Sequence, residues 1–435
     1  MFAPFRSRSE LFIWLIGFVS EKTGVLPDQI RMSEDVQRDC HLSDEQWSAL
    51  VAELGMQLSV RGYHLTESNL RLPATLEQLA KQISVSIGMT SAESTVSVKK
   101  NRHLITVDGQ NNAEIAVWFG TNRKLNDPND VSQGFSSERD QAVHYGTCTV
   151  FIPASHKIGS LGSSWIRRLL TRTDDRLKLR QLHSLPTDAF WSQIGMYMTS
   201  LAGDERHAVI FVHGYNVSFE GAALRAAQIG CDLAISGIMA FFSWPSRGSL
   251  KGYAADEASI EASEVHLTQF ISDMVERSGA SKVHLVAHSM GNRGVLRAIN
   301  NVMAKNGPHK YGQILLAAAD VDIDTFRNLS AAYVSSSART TLYVSARDRA
   351  VEASKWLHNF NRAGLTPPVN VFPGIDTISV TNVDMSLLGH GYVGEAREVL
   401  TDMHDLLIDD AEPAERFGLR RLMTPASQVY WEIGG

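Results

Sequence analysis

The sequence predicts an α/β fold, in which a mostly parallel sheet carries helices on both faces, preceded by a small all-helical N-terminal domain. Three observations support this prediction. Short apolar segments alternate with helical stretches over residues 102–410, the pattern of a parallel sheet covered on both sides. Residues 1–83 show helical periodicity without such segments. The composition, 44% hydrophobic and 20% charged, is that of a globular protein with a generous core.

The composition also excludes several functional classes. A net charge of -6 gives no electrostatic reason to expect a nucleic-acid partner. The cysteines, Cys40, Cys148 and Cys231, are few, widely spaced and odd in number. They predict neither a disulfide framework nor a zinc site, and they fit a reducing compartment. We therefore expect no metal and no organic cofactor.

The N-terminus carries the apolar run "LFIWLIGFV" after two arginines, which superficially suits a signal peptide. No small-x-small cleavage site follows it, and the run is shorter than the roughly 18 apolar residues that a membrane-spanning helix needs. The prediction is a cytoplasmic protein without a transmembrane segment. Export by a signal peptide is the alternative.

Three helices are predicted in the N-terminal domain, residues 1–83. They are "ELFIWLIGFVSEKTG", which ends at Gly24, "SDEQWSALVAELGMQL", which starts at the N-cap Ser43, and "TLEQLAKQI". Residues 84–101, rich in Ser, Thr and Lys, are predicted to be a linker.

This three-helix layout, with "TGVLPDQI" after the first helix, resembles an acyl-carrier-protein-like bundle. Asp44 stands nearest the slot where a carrier has its attachment serine. We expect that the domain never carries a phosphopantetheine arm, and that it docks a protein partner or gates the pocket of the second domain.

The second domain, residues 102–410, contains eight predicted strands. In order they are "EIAVWFG", "TCTVFIP", "AVIFVHG", "IMAFFSWP", "KVHLVAH", "QILLAAAD", "TTLYVSA" and "DTISV". The polar stretch between the first two, residues 121–141, is predicted to be a long loop. Residues 411–435 are assigned to a C-terminal tail.

Ser289 is the first candidate for catalysis, because it stands where the strand "KVHLVAH" ends. A serine at a sharp strand-to-helix turn adopts a strained backbone, so the residues two before and two after it must be small. Here they are Ala287 and Gly291. The segment "AHSMG" therefore predicts a nucleophile elbow.

The remaining catalytic groups are expected in the order serine, acid, histidine, each after a later strand. Asp348 follows "TTLYVSA", and His390 lies in the loop after the last strand. His390 would take the proton of the Ser289 hydroxyl, and Asp348 would orient the imidazole. Two alternatives stay open: Asp384 as the acid, and Asp348 as no more than a surface ion pair with its arginine neighbours.

The oxyanion of such a reaction needs two backbone N–H donors. Met290 directly follows the nucleophile, and Tyr215 lies in "HGYN" after the strand "AVIFVHG". The sequence predicts that these two residues supply the donors, and that Gly214 lets the backbone approach closely.

The segments "FVHGYNVSFEGAALRAAQI", "FFSWPSRG", "HLVAHSMGN", "LAAADVD" and "LLGHGY", with "TNRK" and "YGTCTVFIP" ahead of them, resemble a bacterial family, domain of unknown function 900. The resemblance covers about residues 115–400. It implies an α/β-hydrolase fold of the esterase/lipase superfamily, with the triad on the three residues derived above. It implies no particular substrate.

We therefore predict a serine hydrolase that cleaves a carboxylic ester or thioester, of a small molecule or a lipid, through an acyl-enzyme. One alternative is a lipid-directed esterase or phospholipase that acts as an effector. Another is a binding protein on a hydrolase scaffold that no longer turns over, because fold alone does not establish function.

Overall fold

A computed structural model of the protein describes residues 15, 18–19, 21–23, 42–60, 104–106, 112–156, 161, 176–247, 252–307, 311–345, 361–380, 393–416 and 418–433. The predicted linker, the predicted third helix and the candidates Asp348, Asp384 and His390 lie outside the described residues. The chain divides into two compact units, Met1–Val98 and Lys99–Gly435.

The first unit contains helix α1, Asp44–Val60. Its start is fixed by a reciprocal pair of hydrogen bonds: Gln46 N–H donates to Ser43 Oγ at 3.2 Å, and Ser43 N–H donates to Gln46 Oε1 at 2.9 Å. This capping box satisfies two backbone donors that a helix start otherwise leaves unpaired, and Ser43 has the capping role that the sequence predicts. One face of α1 is buried, at Trp47, Leu50, Leu54 and Leu58.

The second unit is built on one twelve-stranded sheet. Its strands are β1 Leu104–Thr106, β2 Ala113–Leu125, β3 Phe135–Ile152, β4 Lys178–Leu185, β5 His207–Val212, β6 Ile238–Ser243, β7 Lys282–His288, β8 Tyr311–Ala317, β9 Ser337–Ser345, β10 Asp376–Val380, β11 Arg420–Met423 and β12 Val429–Ile433. Their order is β11-β12-β10-β9-β8-β7-β5-β6-β2-β3-β4, with β1 paired to β2.

The helices of this unit are α2 Thr187–Thr199, α3 Phe219–Asp232, α4 Tyr253–Ala262, α5 Glu264–Arg277, α6 Gly291–Asn306, α7 Ile323–Leu329, α8 Ala331–Ser336 and α9 Val393–Asp409. Within the described parts of the chain, none of the helices combines the length and the apolar composition of a membrane span.

The central part of the sheet is parallel from β2 through β6, β5, β7, β8, β9 and β10 to β12. Both of its faces are buried. Along β5, alternate residues enter two different hydrophobic clusters, Ala208, Ile210 and Val212 in one and Val209 and Phe211 in the other. Continuous apolar strands of this kind need helices on both sides, so the predicted α/β architecture is confirmed.

Each of the eight predicted strands is present, but the sheet is larger than the sequence predicts. The loop predicted over residues 121–141 is wrong in most of its length, because β2 runs to Leu125 and β3 begins at Phe135, and the two pair antiparallel with irregularities in register. Residues assigned to a C-terminal tail form β11 and β12, and β12 adds to the parallel sheet beside β10.

Parallel strands place all their carboxyl ends at one edge of the sheet, where α/β proteins bind their ligands. The strand ends at Val212, Ser243, His288 and Ala317 belong to neighbouring strands and so meet at this edge. We refer to it below as the carboxyl edge.

Candidate active site

Ser289 lies at the carboxyl edge, between the end of β7 and the start of α6. Its φ is 47°, in the left-handed region, which costs an L-residue about 1–2 kcal/mol. The side chain of this serine thus stands on a sharp turn between a strand and a helix. The backbone has the conformation that the sequence predicts for a nucleophile elbow.

Hydrogen bonds from neighbouring elements hold this strained turn in place. Ser289 N–H donates to the carbonyl of Ala317 at 2.9 Å. The Ser289 carbonyl accepts from Asn292 N–H at 3.1 Å, from Asn292 Nδ2 at 2.9 Å and from Asp320 N–H at 3.2 Å. Strain persists only where the surroundings fix the backbone in this way, and here β8 and α6 do so.

Small residues around the elbow are required by close backbone contacts. A Cβ on Gly291 would lie 2.5 Å from the carbonyl oxygen of His213 and 2.7 Å from that of Val212. A Cβ on Gly214 would lie 2.9 Å from Ser289 Cβ and 3.1 Å from the His288 carbonyl. The segment after β5 therefore lies directly against the elbow.

The structure brings three of the five predicted site residues together. Met290 follows Ser289 as the N-cap of α6, with φ -61° and ψ -24°. Tyr215 follows Gly214, is partly buried, and packs its ring against that of Tyr253 with centroids 5.3 Å apart.

The other two, Asp348 and His390, lie outside the described residues. The strands that precede them, β9 and β10, run parallel to β7, and each ends at the carboxyl edge. Their placement relative to Ser289 stays a prediction, as does the choice between Asp348 and Asp384.

Arg123, at the carboxyl edge of β2, is a residue whose importance the sequence reasoning missed. Its buried guanidinium donates to Ser243 Oγ at 2.8 Å and to the carbonyls of Ser246 at 3.1 Å and Val217 at 2.8 Å. Burial lowers the pKa of Arg123 to about 9, although the charge of Asp256 raises it. The side chain is still a cation at neutral pH, and it ties together the segments after β5 and β6.

Asp256, on α4, fixes the same two segments from the other side. Its buried carboxylate accepts from Ser246 Oγ at 2.6 Å, from Arg247 N–H at 2.7 Å and from Asn216 N–H at 3.2 Å. Asn216 has φ 58°, so this bond stabilises a second strained residue directly after Tyr215. In the sequence, Arg123 lies in "TNRK" and Asp256 in "YAADE", and both segments stand beside polar loops. These polar surroundings are the local features that could have drawn attention to the two residues.

His213 directly precedes Gly214 but is not available as a base. Its Nδ1–H donates to the carbonyl of Gly214 at 2.8 Å, and Nε2 lies 3.2 Å from Ser243 Oγ and 3.5 Å from the Arg123 guanidinium. Burial, together with the Arg123 charge, holds the pKa of His213 well below its usual range. The neutral ring stacks on Trp244 at a centroid distance of 4.9 Å and supports the loop.

Asp320, after β8, is an acid close to the elbow that is already engaged. Its carboxylate accepts from Tyr253 Oη at 2.6 Å and pairs with Arg293 at 3.4 Å and Arg362 at 3.3 Å. Arg293, one turn along α6 from Ser289, also donates to Tyr253 Oη at 2.8 Å. A carboxylate held by two arginines orients the packing around the elbow and is a poor candidate for the acid of a triad.

The parallel sheet, the strained serine after β7 and the loop of β5 packed against it define an α/β-hydrolase fold. Residues 195–408 match the family described as Alpha/beta hydrolase of unknown function (DUF900).

Two individual proteins are similar to parts of the chain. Uncharacterized protein alr1448 of Nostoc sp. is 31% identical over 111 residues, which cover 20% of this chain and 29% of that protein. The chain thus matches less than a third of that relative's length. A predicted CIB-like hydrolase from Thermoplasma acidophilum, known from a crystal structure, is 15% identical with a TM-score of 0.30, covering 48% of this chain and 89% of that one.

Proposed function

We propose that this protein is a serine hydrolase that cleaves a carboxylic ester or thioester through an acyl-enzyme intermediate, with Ser289 as the nucleophile. The family of residues 195–408 supplies a hydrolase scaffold. The observation that supports the finer assignment best is the backbone of Ser289, whose φ of 47° at the end of β7 is the conformation of a nucleophile elbow.

The chemistry assigned to each group follows from the weak acidity of a serine hydroxyl. His390 takes the proton as Ser289 Oγ attacks the carbonyl carbon, and it returns that proton to the departing alkoxide or thiolate. Asp348 holds the imidazole in the required tautomer and stabilises its cation. Water then attacks the acyl-enzyme by the same route, which releases the carboxylic acid and regenerates the serine.

The tetrahedral intermediates carry a negative oxygen that needs donors fixed in advance. We assign this role to the backbone N–H groups of Met290 and Tyr215. Support comes from the contact of Gly214 with Ser289 and from the bonds that Arg123 and Asp256 make to the same loop. A loop held by buried charges keeps its donors in position without reorganisation during the reaction.

The test is a series of model esters and thioesters of increasing acyl length, assayed with the wild-type protein and with Ser289→Ala. We expect Ser289→Ala to lose all hydrolysis above background while the circular dichroism spectrum stays unchanged. Ser330→Ala is the matched control, because Ser330 is also buried at a helix end but has an ordinary φ of -68°. Hydrolysis by Ser289→Ala at the wild-type rate would remove Ser289 from the mechanism.

A further inference from the structure

Three potential metal ligands of different kinds meet on the second unit, away from the elbow. They are His156, in the turn after β3, and Cys231 and Asp232, the last two residues of α3. One ligand atom from each lies within 4.8 Å of the others. Among the described residues, no other group of His, Cys, Asp or Glu has this arrangement.

The group lies at the edge of the sheet opposite Ser289. β3 ends beside the start of β2, where Ile152 pairs with Ala113. β2 runs parallel to β6, so its start belongs to the amino edge of the parallel sheet. Helix α3 begins after β5 at the carboxyl edge and returns to the amino edge, which places its last turn beside His156. The proposed hydrolysis therefore does not use these residues.

The geometry of His156 leaves one ring nitrogen without a hydrogen-bond partner. His156 Nε2 lies 2.7 Å from Asp232 Oδ1, while Nδ1 is buried and makes no hydrogen bond. The two side chains are 10% and 1% exposed. Nε2 is therefore the ring nitrogen that faces the other two residues, and a metal ion bound there would replace the proton that His156 shares with Asp232.

Neighbouring side chains fix the carboxylate of the group. Gln228 Nε2 donates to Asp232 Oδ2, and Arg225 Nη1 donates to Gln228 Oε1 at 2.7 Å. Both Arg225 and Gln228 are buried on α3. Outer partners that orient ligand side chains in this way are a regular feature of protein metal sites.

We propose that His156, Cys231 and Asp232 bind a divalent transition metal ion, with Zn²⁺ as the preferred ion. Imidazole nitrogen, thiolate sulfur and carboxylate oxygen are the three ligand types of zinc sites, at about 2.0–2.3 Å from the metal. A thiolate and a carboxylate balance the charge of Zn²⁺, so the occupied site carries no net charge where the side chains of His156 and Asp232 are largely buried. Three protein ligands leave a fourth position for water. The ion would tie the turn after β3 to the end of α3.

A nucleophilic role for Cys231 is the competing interpretation, since a histidine and an aspartate are near it. Reactive cysteines have a lowered pKa, whereas burial and the Asp232 charge raise the pKa of Cys231 to about 12. A metal ion that binds the sulfur displaces its proton directly, so a high pKa in the metal-free protein does not oppose the proposal.

Cobalt is the probe that reports a cysteine ligand spectroscopically. The full-length protein is stripped with a chelator and titrated with Co²⁺, and the near-ultraviolet thiolate-to-cobalt band and the visible bands of tetrahedral Co²⁺ are followed. We expect saturation at one equivalent and displacement by one equivalent of Zn²⁺. Zn²⁺ should also raise the Tm of the stripped protein, because an ion that binds only the folded state stabilises it.

Substitutions of the three ligands distinguish Co²⁺ binding at this site from nonspecific Co²⁺ binding elsewhere on the protein. Cys231→Ser should abolish the near-ultraviolet band, and Asp232→Asn and His156→Gln should weaken binding by at least about 100-fold, more than the roughly 10–100-fold expected for an outer partner. His144→Gln is the matched control, because His144 also pairs with an aspartate, with its Nε2 at 2.9 Å from Asp140 Oδ2. It should bind Co²⁺ like the wild-type protein.

Two results would overturn the proposal: absence of one-equivalent binding by the wild-type protein at micromolar concentration, or an unchanged near-ultraviolet band in Cys231→Ser. If Cys231→Ser does not fold, His156→Gln and Asp232→Asn decide the question through their Kd values. Ser289→Ala should bind Co²⁺ with the wild-type Kd, so the metal site and the proposed hydrolysis stand or fall separately.

Discussion

Replacing Gly214 by alanine tests how closely the loop after β5 lies against the nucleophile. A Cβ at this position would meet Ser289 Cβ and His288 Nδ1 at 2.9 Å, and the His288 backbone oxygen at 3.1 Å. Ordinary contact begins at 3.4 Å, so the loop has to withdraw by about half an ångström. The His288 oxygen belongs to β7 and cannot give way, because its strand is paired on both sides. The displacement therefore falls on the segment that carries the Tyr215 N–H.

Loss of one oxyanion donor costs about 100- to 1000-fold in kcat, and a shift of about 1 Å in a positioning group costs about 100-fold. We expect Gly214→Ala to lower kcat/KM for a model ester by about 100-fold or more, and to slow labelling by a fluorophosphonate by a similar factor. The secondary structure should remain, since the added atom is one methyl carbon.

Gly195→Ala is the matched control for this experiment. Gly195 lies within α2, and the nearest atom to an added Cβ is 3.9 Å away. Alanine in the middle of a helix is favoured over glycine by roughly 0.5–1 kcal/mol, so this variant should be as active as the wild-type protein and slightly more stable. Wild-type hydrolysis by Gly214→Ala would refute the assignment of the β5 loop to the oxyanion site.

Three further predictions concern the structural role of Arg123, the identity of the catalytic acid, and the pH dependence of the stability of the second unit. Arg123→Met removes a guanidinium from two buried acceptors, Ser243 Oγ and the Ser246 carbonyl, and from two partly buried ones, the carbonyls of Val217 and Ser136. A buried acceptor left unpaired costs about 1–3 kcal/mol, so urea unfolding should show a loss of several kcal/mol; a loss below about 1 kcal/mol would contradict the role of Arg123. Asp348→Asn should lower kcat by orders of magnitude while Asp384→Asn changes it little, and the reverse order of effects would move the acid to Asp384. Burial lowers the pKa of His284 to about 3. Between about pH 6.5 and pH 3 the unfolded chain therefore binds a proton that the native state does not bind. The free energy of unfolding consequently decreases as the pH falls through this window. Relative to His284→Gln, which can still accept a hydrogen bond from the Gln313 N–H, the wild-type protein should lose about 2–3 kcal/mol more between pH 7 and pH 4.5; equal losses would show that His284 titrates normally.

The parallel strands could be predicted because each is a short apolar run bounded by helical patterns. The elbow could be predicted for a different reason. The strained backbone of Ser289 requires small residues two positions before and after it, so the pattern is recognisable in five consecutive residues. Gly291 meets that requirement through contact with the His213 carbonyl. In both cases a local sequence pattern reflects a local physical constraint.

The features that the sequence did not indicate depend on contacts between distant segments. Arg123 lies in a polar stretch typical of a loop, and its partners Val217, Ser243 and Ser246 are about 90–120 residues away. His156 and Asp232 meet across 76 positions, so cysteine spacing alone indicated no metal site. Strand β4 has a single buried residue, Leu182, and half of its residues are exposed, so its sequence carries no strong apolar signal. The expectation that the N-terminal domain docks a protein partner stays a prediction.

The identity of the nucleophile is tested most directly by finding where a serine-directed reagent attaches. The full-length protein is treated with a fluorophosphonate, digested, and its peptides are analysed by tandem mass spectrometry. We expect a single adduct, on Ser289, with stoichiometry approaching one and simultaneous loss of ester hydrolysis. An adduct on another residue, or an unmodified Ser289 in a protein whose hydrolysis has been blocked, would contradict this expectation.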